Sequence, residues 1–478
     1  MPCVHPAIHV RLESSAFACE DLHVRRLRGR EAISQLFEFE VELASKATVV
    51  DLKDILGATV DLTFSRDDVE RSRVHGIVLE ADDLLDGAAH PTYRLRIAPR
   101  AALLGFVETL DVFLATTVPA IVERKLALNG LSKPADVELR LHEAYPEREL
   151  IVQYAETDLA FISRLTEHLG VSFFFEHKDG RDVIVLTDHP HGFTALEAEP
   201  LHYRRTGGRD GAFRLERRLR MVPGSYWMRD YNYRLPQIDL TESFESALGH
   251  VGGVVEFGAN FKTPDEGRRL ARVRAGEREC QSDVYVGQSD DPALRAGSVI
   301  TLEDAPDRAE SRLLVVEVDH EATQVVFGEG GGERPYENRF KAIPASMEYR
   351  PPRLTPKPKI HGLVTGIIED PTHGSGEYAA LDAEGRYTVR FLFDTAPKGE
   401  RRASHPVRMA QAHAGAGYGH HFPLKPGVEV VIGFVNGDPD RPVILGAVPN
   451  PLTPSPVTNA KPDVHAIRTA SGTRIECK

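Results

Sequence analysis

Along much of the chain, apolar side chains return at every second position. Residues 36–43 read Leu-Phe-Glu-Phe-Glu-Val-Glu-Leu, and 93–97, 137–141 and 284–286 alternate in the same way. A period of two sends one face into a core and the other into water, so this is strand-rich chain. Two stretches switch to a helical period. Over 158–169, Leu159, Ile162, Leu165 and Leu169 share one face and Gly170 supplies the stop. At 263–266, Thr263, Pro264 and Glu266 form a capping box that opens a second helix. Lys178-Asp179-Gly180, between the apolar runs 171–176 and 183–186, predicts a hairpin turn.

Proline sets the boundaries. Five prolines fall within 344–358 and five more within 449–462, and such stretches are extended and join neither a helix nor a central strand. Before the first boundary, Leu-Gly-Ala-Thr-Val-Asp-Leu at 56–62 aligns with Ala-Gly-Ser-Val-Ile-Thr-Leu at 296–302, 240 residues on. The match continues, with Ser-Arg-Val-His-Gly-Ile-Val-Leu at 72–79 against Ser-Arg-Leu-Leu-Val-Val-Glu-Val at 311–318. Either two related β-barrels bracket an insertion, or two hairpins are alike by chance. Between the boundaries, Tyr387, Val389, Phe391 and Phe393 alternate with polar residues. There Asn436-Gly437 makes a tight turn between 428–435 and 443–448. Five such strands in about ninety residues fit an OB-type barrel. The tail alternates as Ile467, Thr469, Ser471, Thr473, Ile475 and Cys477, and a strand ending without a partner of its own must pair with something else.

Composition narrows the function classes. At 478 residues the chain allows about three domains. A net charge of −13 argues against nucleic acid and anionic membrane as partners. No apolar run approaches the roughly 20 residues of a membrane-spanning helix. No apolar core precedes Arg11 and Glu13, which predicts synthesis and assembly in the cytoplasm. Cys3, Cys19, Cys280 and Cys477 lie 16, 261 and 197 residues apart, fitting neither a zinc site nor a disulfide framework, so they read as free thiols.

Candidate chemistry is sparse. Asp438 and Asp440, with Asp382 and Glu384, admit a hydrolytic carboxylate pair or a metal site, but Asn-Gly-Asp-Pro-Asp at 436–440 and Asp-Ala-Glu-Gly at 382–385 are loaded with turn residues. His405, His413, His420 and His421 lack cysteine company, and 420 and 421 point to opposite faces of any strand. No nucleophile elbow, zinc helix or phosphate loop is present, and Gly-Glu-Gly-Gly-Gly at 328–332 reads as a flexible loop. No cofactor is implied. Tyr387, Phe391, Phe393, Tyr418 and Phe422 could stack on single-stranded nucleic acid, but 360–450 carries eight basic against ten acidic residues, and the aromatics alternate as core does.

Particular strings then point to a family. Residues 382–394 (Asp-Ala-Glu-Gly-Arg-Tyr-Thr-Val-Arg-Phe-Leu-Phe-Asp), 407–419 (Val-Arg-Met-Ala-Gln-Ala-His-Ala-Gly-Ala-Gly-Tyr-Gly) and 422–446, with Gly-Phe-Val-Asn-Gly-Asp-Pro-Asp-Arg-Pro at 433–442, closely resemble the OB domain of the VgrG family, the trimeric spike of type VI secretion. So do Gln-Tyr-Ala-Glu-Thr-Asp-Leu-Ala-Phe-Ile-Ser-Arg at 153–164, Gly-Val-Ser-Phe-Phe-Phe-Glu at 170–176, Tyr-Glu-Asn-Arg-Phe at 336–340 with Ile343-Pro344, and Tyr-Arg-Pro-Pro at 349–352. The resemblance implies a mainly β chain with a few helices. Its parts would be a phage-tail-hub-like region over 1–350 with two tube-type barrels and an inserted α+β region, a Pro-rich linker over 351–359, an OB barrel over 360–450, and over 451–478 a linker and the start of a triple-stranded β-prism stalk.

By that resemblance the chain is a non-enzymatic homotrimer. Its six barrels would cap the hexameric Hcp tube, and its stalk would carry a PAAR-type tip or effectors through a target membrane after sheath contraction has expelled it. The alternatives are the spike of a phage-like extracellular contractile particle and, further off, a hydrolase using Asp438 and Asp440. The chain ends at Lys478, where the family's long prism would begin. Structural roles are expected for Gly385, Gly427, Gly433, Gly437 and Gly446, with Arg386 and Arg441 pairing with Asp394, Asp438 or Asp440. Ile467 and Ile475 are expected in the trimer stalk, and loops at Asp82-Asp83 and at Asp319 and Glu321 on the tube-facing end.

Overall fold

The computed structural model describes residues 8–46, 51–85, 89–196, 200–204, 211–306, 309–328, 334–369, 378–395 and 404–477. The helix Asp158–Leu169 spans the residues its periodicity marks. The helix Pro264–Glu279 begins after Thr263, whose side chain accepts the Glu266 amide. Asp179 and Gly180 take φ of +51° and +71° in the turn of the hairpin Ser172–Lys178/Arg181–Thr187. A third helix, Val118–Leu128, was not expected. Its signal was available: Val118, Ile121, Val122 and Leu126 are buried at helical spacing. Most of the loop at 328–332 lies outside the described residues, as does Cys3.

The chain forms two compact units, one of residues 1–106, 122–144 and 162–355, the other of 107–121, 145–161 and 356–478. In the first, one continuous sheet runs through His9–Glu13, Thr59–Arg66, Val69–Asp83, Thr92–Ala98, Glu38–Ser45 and Leu22–Ala32. It continues through Arg312–Thr323, Arg334–Pro344, Asp283–Ser289 and Ala212–Leu219. The two halves are copies. Gly57 and Gly297 both take positive φ, +80° and +87°, and donate equivalent amides to Val78 O and Val315 O at 2.9 Å. The second half closes on itself: Ser298–Glu303 pairs with Arg312–Thr323 and with Leu201–His202, while Tyr203 bridges to Ala212. Leu201, Tyr285, Ile300, Leu313, Val315 and Phe340 fill its interior. In the first half, Gln324 bridges the edge strands, accepting the Val10 amide at 2.7 Å and donating to Val10 O and Val24 O at 3.0 and 2.7 Å. The repeat thus reflects two related barrels that share one sheet, but the equivalent glycine bonds place Val78 on Val315, two residues from the position that matching 72–79 to 311–318 gives it.

In the second unit, Val364–Ile368 lies between Val389–Phe391 and Glu429–Phe434, and Pro442–Ala447 follows. The fifth member is the irregular stretch 404–410: Val407 exchanges two bonds with Tyr387 (2.9 and 2.7 Å), and Ala410 N–H donates to Ile444 O at 2.8 Å. This closes a five-membered barrel. Its core holds Tyr387, Val389, Phe391, Val430, Ile432 and Ile444, joined by Val112, Leu150 and Val152 from the antiparallel pair Glu108–Thr116/Arg148–Thr157. Two pieces of the expected 1–350 region therefore belong to the OB unit. Of the five aromatics read as core, Tyr387 and Phe391 are buried and Phe393 is half-buried against them, but Tyr418 and Phe422 are exposed. Both sit on a stretch, 410–423, that is exposed throughout.

The tail also differs from expectation. His465–Arg468 and Arg474–Cys477 pair as a hairpin, with Ile467 opposite Ile475 and Gly472 at φ +98° in the turn. The final strand has a partner in its own chain, because Ala470–Gly472 gives the backbone a place to reverse. Ile467 and Ile475 remain about half exposed, at 49% and 54%.

Candidate functional site

Where the barrel copies meet, Leu22–Ala32 pairs with Arg312–Thr323, Arg30 opposite Asp319 and Arg28 opposite Glu321. The alternation that builds each strand puts charges on one face, and neighbouring strands carry opposite signs. Glu80 and Asp82 face Arg96 and Arg94, which face Glu40 and Glu42, which face Arg28 and Arg26. Across such a face opposed charges pair and like charges are kept apart. Asp319 and Glu321 therefore lie inside a paired strand, and Asp82-Asp83 at a strand end, instead of on free loops as expected.

Beneath that junction is a buried polar cluster the sequence reading missed. Glu31 lies 3.0 Å from Arg295 and 3.3 Å from His320 Nε2. His320 Nδ1 meets the Tyr336 hydroxyl at 2.7 Å, and Asn338 donates to that hydroxyl at 3.1 Å. Burial works to raise the Glu31 pKa, but the Arg295 charge and the His320 bond outweigh it and hold the carboxylate below its usual range. Arg295 also donates to Ser72 Oγ (2.6 Å) and Arg73 O (2.8 Å), so one guanidinium of the second copy satisfies polar groups of the first. The available signal was the 336–340 string, whose alternate residues Tyr336, Asn338 and Phe340 are the buried ones.

In the OB unit the acidic turn is a clamp. Lys357 Nζ sits 2.5 Å from Asp438 and 2.7 Å from Asp440. Asp438 Oδ1 accepts the Asp440 amide (2.9 Å) and Asp440 Oδ1 the Val152 amide (2.7 Å). Burial pushes the Asp438 pKa up, and Lys357 pulls it down further, so the carboxyl stays below its ordinary range. A general acid needs a raised value and access to substrate; here the carboxylates are buried and their oxygens engaged by Lys357 and backbone amides. The expected partner scheme is corrected in part. Arg441 reaches Asp438 only at 3.9 Å, whereas Arg386 pairs with Asp382 (2.6 Å) and Glu384 (3.4 Å) inside its own turn. Asp394 N–H donates to Phe391 O at 3.1 Å. Gly385, Gly427 and Gly437 adopt φ of +74°, +86° and +74°, which favours glycine. Gly433 lies under the Leu445 side chain, while Gly446 faces open space. Among the described residues no three His, Cys, Asp or Glu side chains gather as a metal would need, and no helix is long and apolar enough to cross a membrane.

Paired barrels built from an internal duplication, followed by an OB unit, define a contractile-tail hub. Residues 30–326 match the phage tail baseplate hub (GPD) family and 379–448 the type VI secretion system/phage-baseplate injector OB domain. The chain belongs to the phage tail baseplate hub family. It is similar to two Pseudomonas aeruginosa type VI secretion system spike proteins. VgrG1c is 29% identical, covering 92% of this chain and 62% of its own, and VgrG5 is 31% identical, covering 90% and 56%. The chain thus spans about three-fifths of the length of these relatives. Among solved structures it is similar to an Escherichia coli component of the type VI secretion system (TM-score 0.67, 23% identity, 92% of this chain and 100% of that one). It is also similar to a chain of a PdpA–VgrG complex (TM-score 0.62, 10% identity, 99% of this chain and 92% of that one).

Proposed function

We propose that three copies of this chain form the hub and spike base of a type VI secretion apparatus, cap the hexameric Hcp tube, help puncture a target membrane and deliver effectors. The supporting observation is the duplication: two barrels of one design in each chain bring six to a trimer, the number a hexameric tube presents. The role is mechanical and non-enzymatic, and the clamped Asp438 and Asp440 support a structural part for the acidic turn. Assembly takes place in the cytoplasm, and sheath contraction then expels the particle toward the target cell. A PAAR-type tip or effectors attach beyond the tail hairpin.

Electron microscopy of the purified chain, with and without Hcp, tests this reading. A tapered threefold particle that docks on tube ends is expected, and a monomer that ignores the tube would refute it. The hub family also serves phage tails, so the spike of an extracellular contractile particle is the second reading. Neighbouring genes for a membrane complex separate the two.

A further inference from the structure

The junction between the barrels inside one chain is a template, and among the described residues both halves of a second such junction are unfilled. Strand-by-strand register identifies the copies. Each innermost strand has a bulge at the same point, Val24/Arg26 against Leu43 and Glu42, Ala212/Arg214 against Ser289 and Gln288. Ala212–Leu219 is therefore the counterpart of Leu22–Ala32, with Arg218 standing where Arg30 stands. Likewise the bulge Val78/Glu80 against Ile97 and Arg96 matches Val315/Glu317 against Ala342 and Lys341. Asp82 is therefore the counterpart of Asp319.

Within the chain, Leu22–Ala32 is paired on both sides, by Glu38–Ser45 and by Arg312–Thr323. Among the described residues, its counterpart Ala212–Leu219 is paired along its length on one side only, by Asp283–Ser289, beyond the single bridge at Ala212. On the acidic strand, Glu317–Thr323 is flanked by Leu22–Ala32 and Arg334–Pro344, whereas among the described residues Glu80–Asp83 is paired by Thr92–Ala98 alone.

We infer that the free edge of Ala212–Leu219 adds antiparallel to the free edge at Glu80–Asp83 of a second copy of this chain, in the register of the internal junction. This rests on the proposed multimeric hub and names the edges that build it. Transferring Arg30 opposite Asp319 and Ala32 opposite Glu317 puts Arg218 opposite Asp82 and Arg220 opposite Glu80, two cation–carboxylate pairs. Leu219, 70% exposed in the single chain, falls at the position of Glu31, 4% exposed. It would be covered against Ala81, the counterpart of Val318. Because the two edges differ, the contact is head-to-tail, and repeated around a closed ring it leaves neither edge open.

The test is charge exchange on the full chain, read by native mass spectrometry across a concentration series. Arg218 and Asp82 are both exposed, at 43% and 58%, so R218D and D82R are expected to keep the wild-type circular dichroism spectrum. Each single reversal is expected to weaken assembly about tenfold or more, and R218D/D82R to recover most of it. In parallel, the amides of Leu215, Arg217 and Leu219, which alternate with those facing Asp283–Ser289, should be protected from hydrogen exchange in the assembly and exposed on dilution. An assembled wild type whose single variants assemble equally well would overturn the edge assignment while leaving the multimer intact. Loss in the single variants without recovery in the double would overturn the register. A wild type that stays monomeric throughout would overturn both the inference and the hub reading.

Discussion

Replacing Lys357 by Met removes the cation from the acidic clamp and keeps its stem. Two buried carboxylates, whose side chains are 11% and 7% exposed, then lose a partner at 2.5 and 2.7 Å. Breaking a buried ion pair by deleting one partner costs about 3–5 kcal/mol. Lys357 is itself 34% exposed, and solvent screening brings the expected loss to about 2–3 kcal/mol. The loss should depend on pH. Asp438 is held below its ordinary value, so its contribution is present above the unfolded carboxylate pKa of about 3.9 and disappears as pH falls through the folded value. In the variant, burial stands against the more distant Arg441, the folded value moves up, and protonation on acidification relieves the unpaired charge. Hydrogen exchange of the Glu429–Phe434 and Pro442–Ala447 amides isolates the OB unit. Protection should fall about 30- to 150-fold at pH 7, and the gap should close toward pH 3. A loss under threefold at pH 7, or one that does not change with pH, would refute the clamp.

Four further outcomes are expected. Buried His177, next to Arg295 and His75, has a pKa well below 6.5. First-unit stability should therefore be full above about pH 6.5 and decline below it by about 1.4 kcal/mol per pH unit, a slope that H177Q removes in urea titrations followed by Trp227 fluorescence. Q324L leaves Val10 N–H, Val10 O and Val24 O without their partner and should speed exchange in His9–Glu13 by an amount corresponding to about 2–4 kcal/mol. E167A strips three bonds from Leu354 and Thr355, so limited proteolysis should cut the proline-rich stretch faster while circular dichroism is unchanged. Deleting 461–478, which carries the exposed Ile467–Ile475 pair, should leave the barrels folded but make the assembly dissociate more readily on dilution.

Local elements were legible because their causes are local. The Asp158–Leu169 stripe, the Thr263 cap and the Asp179-Gly180 turn each depend on residues a few positions apart. The repeat was legible through Gly57 and Gly297, since a turn needing positive φ marks the same point in both copies. The OB barrel was legible through its alternation, although Tyr418 and Phe422 alternate as core does and yet stay exposed on the stretch 410–423, where no residue is buried.

What only the tertiary structure decided is long-range pairing. Nothing near residue 110 or 150 announces that Val112 and Val152 complete a core built from 368–444, or that Asp440 caps the Val152 amide 288 residues away. Nothing near Asp438 announces Lys357 as its cation, because the nearer Arg386 and Arg441 satisfy every sequence criterion for a partner. A polar side chain's sequence states its charge and its period; the backbone's path decides which opposite charge it meets. The same holds for the barrels: alternation dictates that each strand has a charged face, and only the register of the shared sheet shows which edges are paired among the described residues.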